Sequence, residues 1–263
     1  MTIKKLLIAN RGEIASRIIS SAHDMGISCV AIYTEADKDT PYVREADQAF
    51  KISDSYLNLK EILDIALKSN SDAIHPGYGF LSENAAFANQ VKKLNIKWVG
   101  PSSNAIKKMG DKLTAKEIAI KANVPTLPMT SDPKKANSIG YPILVKAAAG
   151  GGGKGMRIVE KAKDLKESIK AAEREAEGGF GDKRVFLERY IKRSRHIEIQ
   201  ILGDAFGNIV HLGERECSIQ RRHQKIVEES PSPMVDEEMR EKMGEAAIKL
   251  SLIHISEPTR PLY

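Results

Sequence analysis

Cysteine is scarce: two in 263 residues, Cys29 and Cys217, far apart in the chain. That excludes a disulfide framework and any paired cysteine spacing for a metal, and it points to a reducing compartment. Aromatic residues are only 5% of the sequence, and a net charge of +6 is spread as lysine over the whole length without a concentrated basic tract. Nucleic acid is therefore a poor partner, and anionic small molecules suit the charge better. Pairs such as Lys107-Lys108 and Lys134-Lys135 read as solvated helix faces. No apolar run approaches the length that spans a membrane. Met1 to Asn10 places basic residues before an apolar run, as a signal peptide does, but the run is short and leads into Arg11, Glu13 and Arg17. It reads as a first strand, and a bacterial cytoplasm is the expected location.

The length suits one or two domains with a substantial core. A strand from Ile3 to Ala9 is followed by a helix with Ile14, Ile18 and Ala22 at helical spacing, then by an apolar run from Cys29 to Tyr33. The alternation continues with a helix over 59–68, a strand over 73–75, a helix over 83–93 and a strand over 96–99. This predicts a doubly wound parallel sheet with helices on both faces over about 1–110. A helical stretch over 104–122 follows, with Asp111 as a cap and Pro125 as a stop. Strands are then expected over 141–145, from Met156, and over 185–189, 196–202 and 209–214, with a charged helix over 164–177. Short turns between the later strands indicate antiparallel pairing, so 111–250 reads as α+β.

The centre of that second region is Val145-Lys146-Ala147-Ala148-Ala149-Gly150-Gly151-Gly152-Gly153-Lys154-Gly155-Met156. A strand enters a lysine and a small-residue loop with five glycines, and a second strand leaves it. Glycine backbone can turn successive N–H groups toward one anion, with Lys146 and Lys154 adding charge. Gly150, Gly152 and Gly155 satisfy G-x-G-x-x-G, but no helix opens there, and Gly155 stands where a Walker A loop has Ser or Thr. A glycine hairpin over a polyphosphate is the functional reading; a mobile surface turn is the plain alternative.

Six stretches together resemble the biotin carboxylase family in order and spacing. They are Asn10-Arg11-Gly12-Glu13-Ile14-Ala15, His75-Pro76-Gly77-Tyr78-Gly79-Phe80-Leu81-Ser82-Glu83-Asn84, Met109-Gly110-Asp111-Lys112, the glycine hairpin, Arg195-His196-Ile197-Glu198-Ile199-Gln200, and Glu214 to Lys225. The resemblance covers 1 to about 250, and most resembles the carboxylase part of acetyl-CoA, propionyl-CoA and methylcrotonyl-CoA carboxylases. It implies a pre-ATP-grasp domain followed by a partial ATP-grasp domain whose lid runs over about 130–202. It implies ATP, Mg2+ or Mn2+, bicarbonate and carrier-bound biotin, with carboxyphosphate as intermediate. The implied partners are a biotin carboxyl carrier protein or domain, a carboxyltransferase subunit and a second copy of the chain.

By resemblance, Lys112 and Lys146 contact ATP phosphates, while Gly152, Gly153 and Met156 belong to the loop over them. Glu188, Arg189, Tyr190 and Ile191 read the adenine edge, largely through backbone, and His196, Gln220 and His223 contact nucleotide. Lys225 holds bicarbonate, with Gln224 and Arg222 beside it, since a small anion and a developing triphosphate charge need converging cations. Tyr78 and Gly79 lie near the biotin ring. Taken alone, such lysines are more often exposed, such histidines structural and such a charge run solvated; Glu83 serves equally as a helix cap. The family pattern stops near Leu250, and 251–263 carries no family function. The acidic metal ligands lie beyond that point in the family, so no metal ligand is assigned here, and an incomplete, weakly active or inactive chain with uncovered apolar sheet is the expectation. Another ATP-grasp ligase of the carbamoyl-phosphate synthase type and an inert dimerising fragment are the alternatives.

Overall fold

The computed structural model describes residues 2–149, 155–204, 206–221 and 224–255, in two compact units, Met1–Lys107 and Lys108–Tyr263. In the first unit, β1 (Lys5–Ile8), α1 (Gly12–Asp24), β2 (Ser28–Tyr33), α2 (Pro41–Glu45), β3 (Gln48–Lys51), α3 (Leu59–Lys68), β4 (Ala73–His75), α4 (Ala85–Lys93) and β5 (Lys97–Trp98) follow in order. The strands are parallel, in the order β3-β2-β1-β4-β5. Alternation along β1 divides the core: Leu7 packs with Ile62, Ala66, Phe87 and Val91 of α3 and α4. Leu6 and Ile8 pack on the other face with Ala15, Ile18 and Ile19 of α1 and with Tyr42 of α2. Each such fully buried side chain contributes about 1.5–3 kcal/mol, so both faces need a helical layer. The doubly wound parallel sheet is as expected.

Two details differ from the sequence reading. The Asn84 side chain accepts from Phe87 N at 2.9 Å and starts α4, so Glu83 stands outside the helix and does not cap it. β3 was not expected; apart from Phe50 its residues are exposed, and its pairing with β2 holds it at the sheet edge.

The helical stretch after it is two helices, α5 (Ser103–Gly110) and α6 (Lys112–Lys121), broken where Asp111 accepts from Thr114 N at 2.9 Å. In the second unit, β6 (Met129–Thr130), α7 (Ala136–Ile139), β7 (Ile143–Ala147), β8 (Arg157–Val159), α8 (Leu165–Phe180) and β9 (Val185–Arg189) build an antiparallel sheet ordered β6-β9-β7-β8. Next come β10 (Ile197–Gly203), β11 (Ile209–Arg221) and β12 (Gln224–Glu229), a second antiparallel sheet, and α9 (Glu237–Ile255). The span 130–202 thus takes in β10, which pairs in the second sheet. β12 was not expected, because its six residues are all exposed and give no apolar pattern. α9 continues to Ile255, past the point where the sequence reading ended the helix. Leu202, Val210, Leu212, Ile219 and Ile226 of the second sheet are exposed.

Candidate functional site

The two faces of the first antiparallel sheet differ in chemistry. Ile143, Val145, Val159 and Leu187 point to one face and pack with Leu165 and Ala172 beneath α8. Register places Leu144 opposite Glu188 and Ile158, and Lys146 opposite Phe186, so these residues share the other face. There Lys146 Nζ lies 3.1 Å from one Glu188 oxygen and 5.7 Å from the centre of the Phe186 ring. Lys116 of α6 pairs with the second Glu188 oxygen. Burial pushes the Glu188 carboxyl upward and is the largest influence, yet Lys116 and Lys146 together outweigh it and hold the group below its usual range. Lys146 therefore interrupts an apolar strand with its countercharge in reach.

Asp111 holds the first turn of α6 so that Lys112 faces β7, where Lys112 Nζ donates to Ala147 O at 3.1 Å and Lys112 N to Ala148 O at 3.2 Å. Burial, then the charge of Lys146, lowers the Lys112 pKa. Among the described residues this ammonium has no carboxylate partner. Gly155, two residues before β8, has φ +68°, and a Cβ there would stand 2.9 Å from the Ala147 Cβ. Only glycine fits so close to β7 with that backbone.

At the end of β9, the N–H of Arg189 donates to Pro128 O and that of Tyr190 to Pro142 O, each at 3.0 Å. Within that segment the N–H of Ile191, among the described residues, has no partner.

On the second sheet Glu198 gathers the residues that the sequence reading scattered. It faces Arg215 across the β10–β11 ladder at 3.2 Å, His196 Nε2 at 3.1 Å and the Lys225 ammonium. Gln220 Nε2 lies 3.1 Å from His196 Nδ1. Burial opposes ionisation of Glu198, but Lys225, His196 and Arg215 hold its pKa near about 2. Lys225 is raised in turn, chiefly by its hydrogen bond to Glu198. Gln224 opens β12, while Gly152, Gly153, Arg222 and His223 lie outside the described residues. Glu198, Arg215 and Lys116 were not singled out as site residues. A lysine one helical turn after Lys112 was the available signal for Lys116.

In the first unit, the loops after β1 and β4 leave adjacent strands where the chain turns to opposite sides of the sheet. That edge is where open α/β sheets hold ligands. Asn10, fully buried, donates to Pro76 O at 2.7 Å and Tyr78 O at 3.0 Å. Tyr78 OH donates to Glu13 at 2.6 Å, with the residue 61% exposed, and Gly79 has φ +70°. Gly77, at φ +63°, leaves no room for a Cβ, which would lie 2.6 Å from Asn10 Nδ2 and 2.7 Å from Ile14 Cγ2. Beside this loop Arg11 Nε donates to Asp37 at 2.6 Å, and Asp37 also accepts from Tyr56 OH at 2.5 Å. Arg11, then Tyr56, holds the Asp37 carboxyl low despite burial.

A doubly wound sheet followed by an antiparallel sheet with a lysine-bearing open face defines the ATP-grasp class. Residues 2–106 match the family described as "Biotin carboxylase, N-terminal domain", and 86–256 match "Carbamoyl-phosphate synthase L chain, ATP binding domain". Biotin carboxylase 1 of Bacillus subtilis is 52% identical over 260 residues, covering 94% of this chain and 58% of that protein. The mitochondrial methylcrotonoyl-CoA carboxylase subunit alpha of Dictyostelium discoideum is 51% identical over 259 residues, covering 94% of this chain and 37% of that one. Among solved structures, a biotin carboxylase complex with a β,γ-ATP ligand from Campylobacter jejuni superposes with TM-score 0.92 at 47% identity, over 95% of this chain and 59% of that one. The biotin carboxylase domain dimer of Hydrogenobacter thermophilus 2-oxoglutarate carboxylase, with MgADP, ADP and bicarbonate, gives 0.91 at 44%, over 96% and 58%. The chain belongs to the biotin carboxylase family, and spans 58% or less of these two curated relatives. No helix among the described residues is long and apolar enough to cross a membrane.

Proposed function

We propose that the chain carries the ATP- and bicarbonate-binding parts of a biotin carboxylase: the γ-phosphoryl group of ATP passes to a bicarbonate oxygen, giving ADP and carboxyphosphate. Loss of phosphate then delivers the carboxyl group to a ureido nitrogen of carrier-bound biotin, with that nitrogen's proton leaving. The observation that carries this reading is the open face of β7–β9, where three lysines, Lys112, Lys116 and Lys146, stand against one carboxylate, Glu188. Two positive charges remain in excess, matched to a polyphosphate, and phosphoryl transfer depends on positioning and charge neutralisation more than on covalent help.

In this reading Lys112 and Lys146 hold phosphates, and Gly152, Gly153 and Met156 cover them. The Glu188–Ile191 segment meets the adenine, with Arg189 and Tyr190 fixing the strand end and the Ile191 N–H facing the base. His196, Gln220 and His223 reach the nucleotide, while Lys225, Gln224 and Arg222 hold bicarbonate. Tyr78 and Gly79 border biotin. Glu188 and Glu198 are each committed to cations, and no group of carboxylates suited to magnesium converges among the described residues. Magnesium bound to the nucleotide would neutralise β- and γ-phosphate oxygens. The partners are a biotin carrier, a carboxyltransferase and a second copy of the chain, and the compartment is the cytoplasm.

The test is ADP formation by the purified chain with MgATP and bicarbonate, with and without free biotin. Bicarbonate-dependent turnover stimulated by biotin supports the carboxylase. Turnover stimulated by an amine and indifferent to biotin supports the carbamoyl-phosphate synthase type instead. Co-purification with an intact family subunit, with no nucleotide binding at all, leaves only an inert dimerising fragment.

A further inference from the structure

We propose that His23, Cys29 and Asp47 form a site for a thiophilic divalent cation of the zinc type, at the end of the first unit's sheet opposite to Asn10 and Tyr78. Three elements meet there. α1 ends at Asp24 just after His23, β2 begins at Ser28 just before Cys29, and Asp47 directly precedes β3, the strand that pairs with β2 in parallel. The convergence is thus a product of the βαβ connection and the edge strand.

One nitrogen, one sulfur and one oxygen donor, all within 4.8 Å of one another, make up this cluster. His23 Nε2 lies 2.9 Å from Asp47 Oδ2, and the same oxygen accepts from Cys29 N at 2.7 Å. Imidazole, thiolate and carboxylate are the three donor types zinc takes, with bonds of about 2.0–2.3 Å and tetrahedral edges of roughly 3.3–3.8 Å, so small side-chain rotations close the set. Hard cations that need six or more oxygens are excluded by the same donors.

The charge balance suits a dication: the metal–sulfur bond forms as the Cys29 S–H bond breaks, and one proton leaves to solvent. Metal, thiolate and carboxylate then sum to zero charge. His23 and Asp47 are exposed while Cys29 is buried, so the ion enters from the imidazole side and keeps a solvent molecule as fourth ligand. A role for Asp47 as a cap of β2 alone requires its contact with Cys29 N and neither the thiol nor the imidazole.

The experiment titrates the untagged 263-residue chain with Zn2+ by calorimetry, and with Cd2+ by ultraviolet absorption, where a thiolate–cadmium bond gives a charge-transfer band. One cation per chain is expected, with about one proton released. Cys29→Ser should abolish the band and weaken Zn2+ binding at least tenfold, His23→Gln should weaken it about tenfold, and Cys217→Ser should leave both unchanged. Absence of stoichiometric binding, or a band and affinity that survive Cys29→Ser, overturns the proposal. His23 is exposed, so its variant serves as the folding-neutral test should Cys29→Ser unfold the chain.

Discussion

Replacing Glu188 by Gln separates charge balance from ligand contact on the lysine face. The side chain keeps its shape but loses the charge that now faces Lys116 and Lys146. Removing one partner of a buried pair costs about 3–5 kcal/mol, whereas surface pairs are worth about 0–1 kcal/mol. The Glu188 and Lys116 side chains are each 12% exposed and Lys146 is 25% exposed. Solvent reaches the trio in part, so about 2 kcal/mol is the discounted cost, a fall in melting temperature of roughly 4–8 °C for a unit of this size. Nucleotide affinity should move the other way. One more uncompensated charge near the phosphates adds about 1 kcal/mol after screening, so ATP binds about fivefold tighter while adenosine is unchanged. Thermal unfolding with and without each ligand reads both effects. The destabilisation has a pH signature: the lowered Glu188 pKa contributes fully above the ordinary value of 4.5 and is lost as pH falls through the folded value, so wild type and variant converge in acid. An unchanged melting temperature together with weaker ATP binding would refute the reasoning, since Glu188 would then be a direct contact to the nucleotide.

Lys116→Met should destabilise likewise but weaken ATP about fivefold, because Glu188 then neutralises Lys146 undivided; titration with ATP and adenosine checks it. The Lys112 pKa lies below 10.5, and phosphates would raise it, so nucleotide binding takes up a proton and weakens as pH rises through the lowered value; calorimetry in buffers of different ionisation enthalpy measures this. Gly77→Ala forces the loop off Asn10 and Ile14, so biotin stimulation should drop at least tenfold while ATP binding persists, as paired ADP-release and nucleotide-binding assays would read. Phe87→Ala empties a fully buried site edge-on to Trp98 and should cost about 3–5 kcal/mol by denaturant unfolding.

The sheet of the first unit was legible because its signal is local. Leu6, Leu7 and Ile8 are apolar on both sides, as a strand covered on two faces must be, and helix periodicity recovers α3 over Leu59–Lys68. β3 and β12 were not legible for the converse reason. Their mostly exposed residues, with no apolar alternation, are strands only through pairing with β2 and β11, which no window of sequence contains. The site divides the same way. That Lys146 sits on a strand and Lys112 at the head of a capped helix follows from neighbouring residues. That Glu188 stands between Lys146 and Lys116, or that Glu198 joins His196 to Lys225, depends on the register of separate strands and on which helix covers the sheet.

One consequence of that register links the two lysine clusters. In each, a buried or half-buried glutamate takes the charge of residues that the family resemblance assigns to anionic ligands: Glu188 for Lys146, Glu198 for Lys225. A ligand anion arriving at either cluster must therefore compete with an internal carboxylate, which lowers affinity but keeps the lysines from repelling one another before it arrives. Lys112 differs, since its ammonium is held by the Ala147 carbonyl and is depressed by burial and by Lys146. It gains most from an incoming phosphate, because a neutral carbonyl is exchanged for an anion in a partly desolvated place. Of the lysines on this face, Lys112 should thus show the largest loss of triphosphate affinity on truncation to Met, exceeding that of Lys146→Met, because Lys146 already spends part of its charge on Glu188.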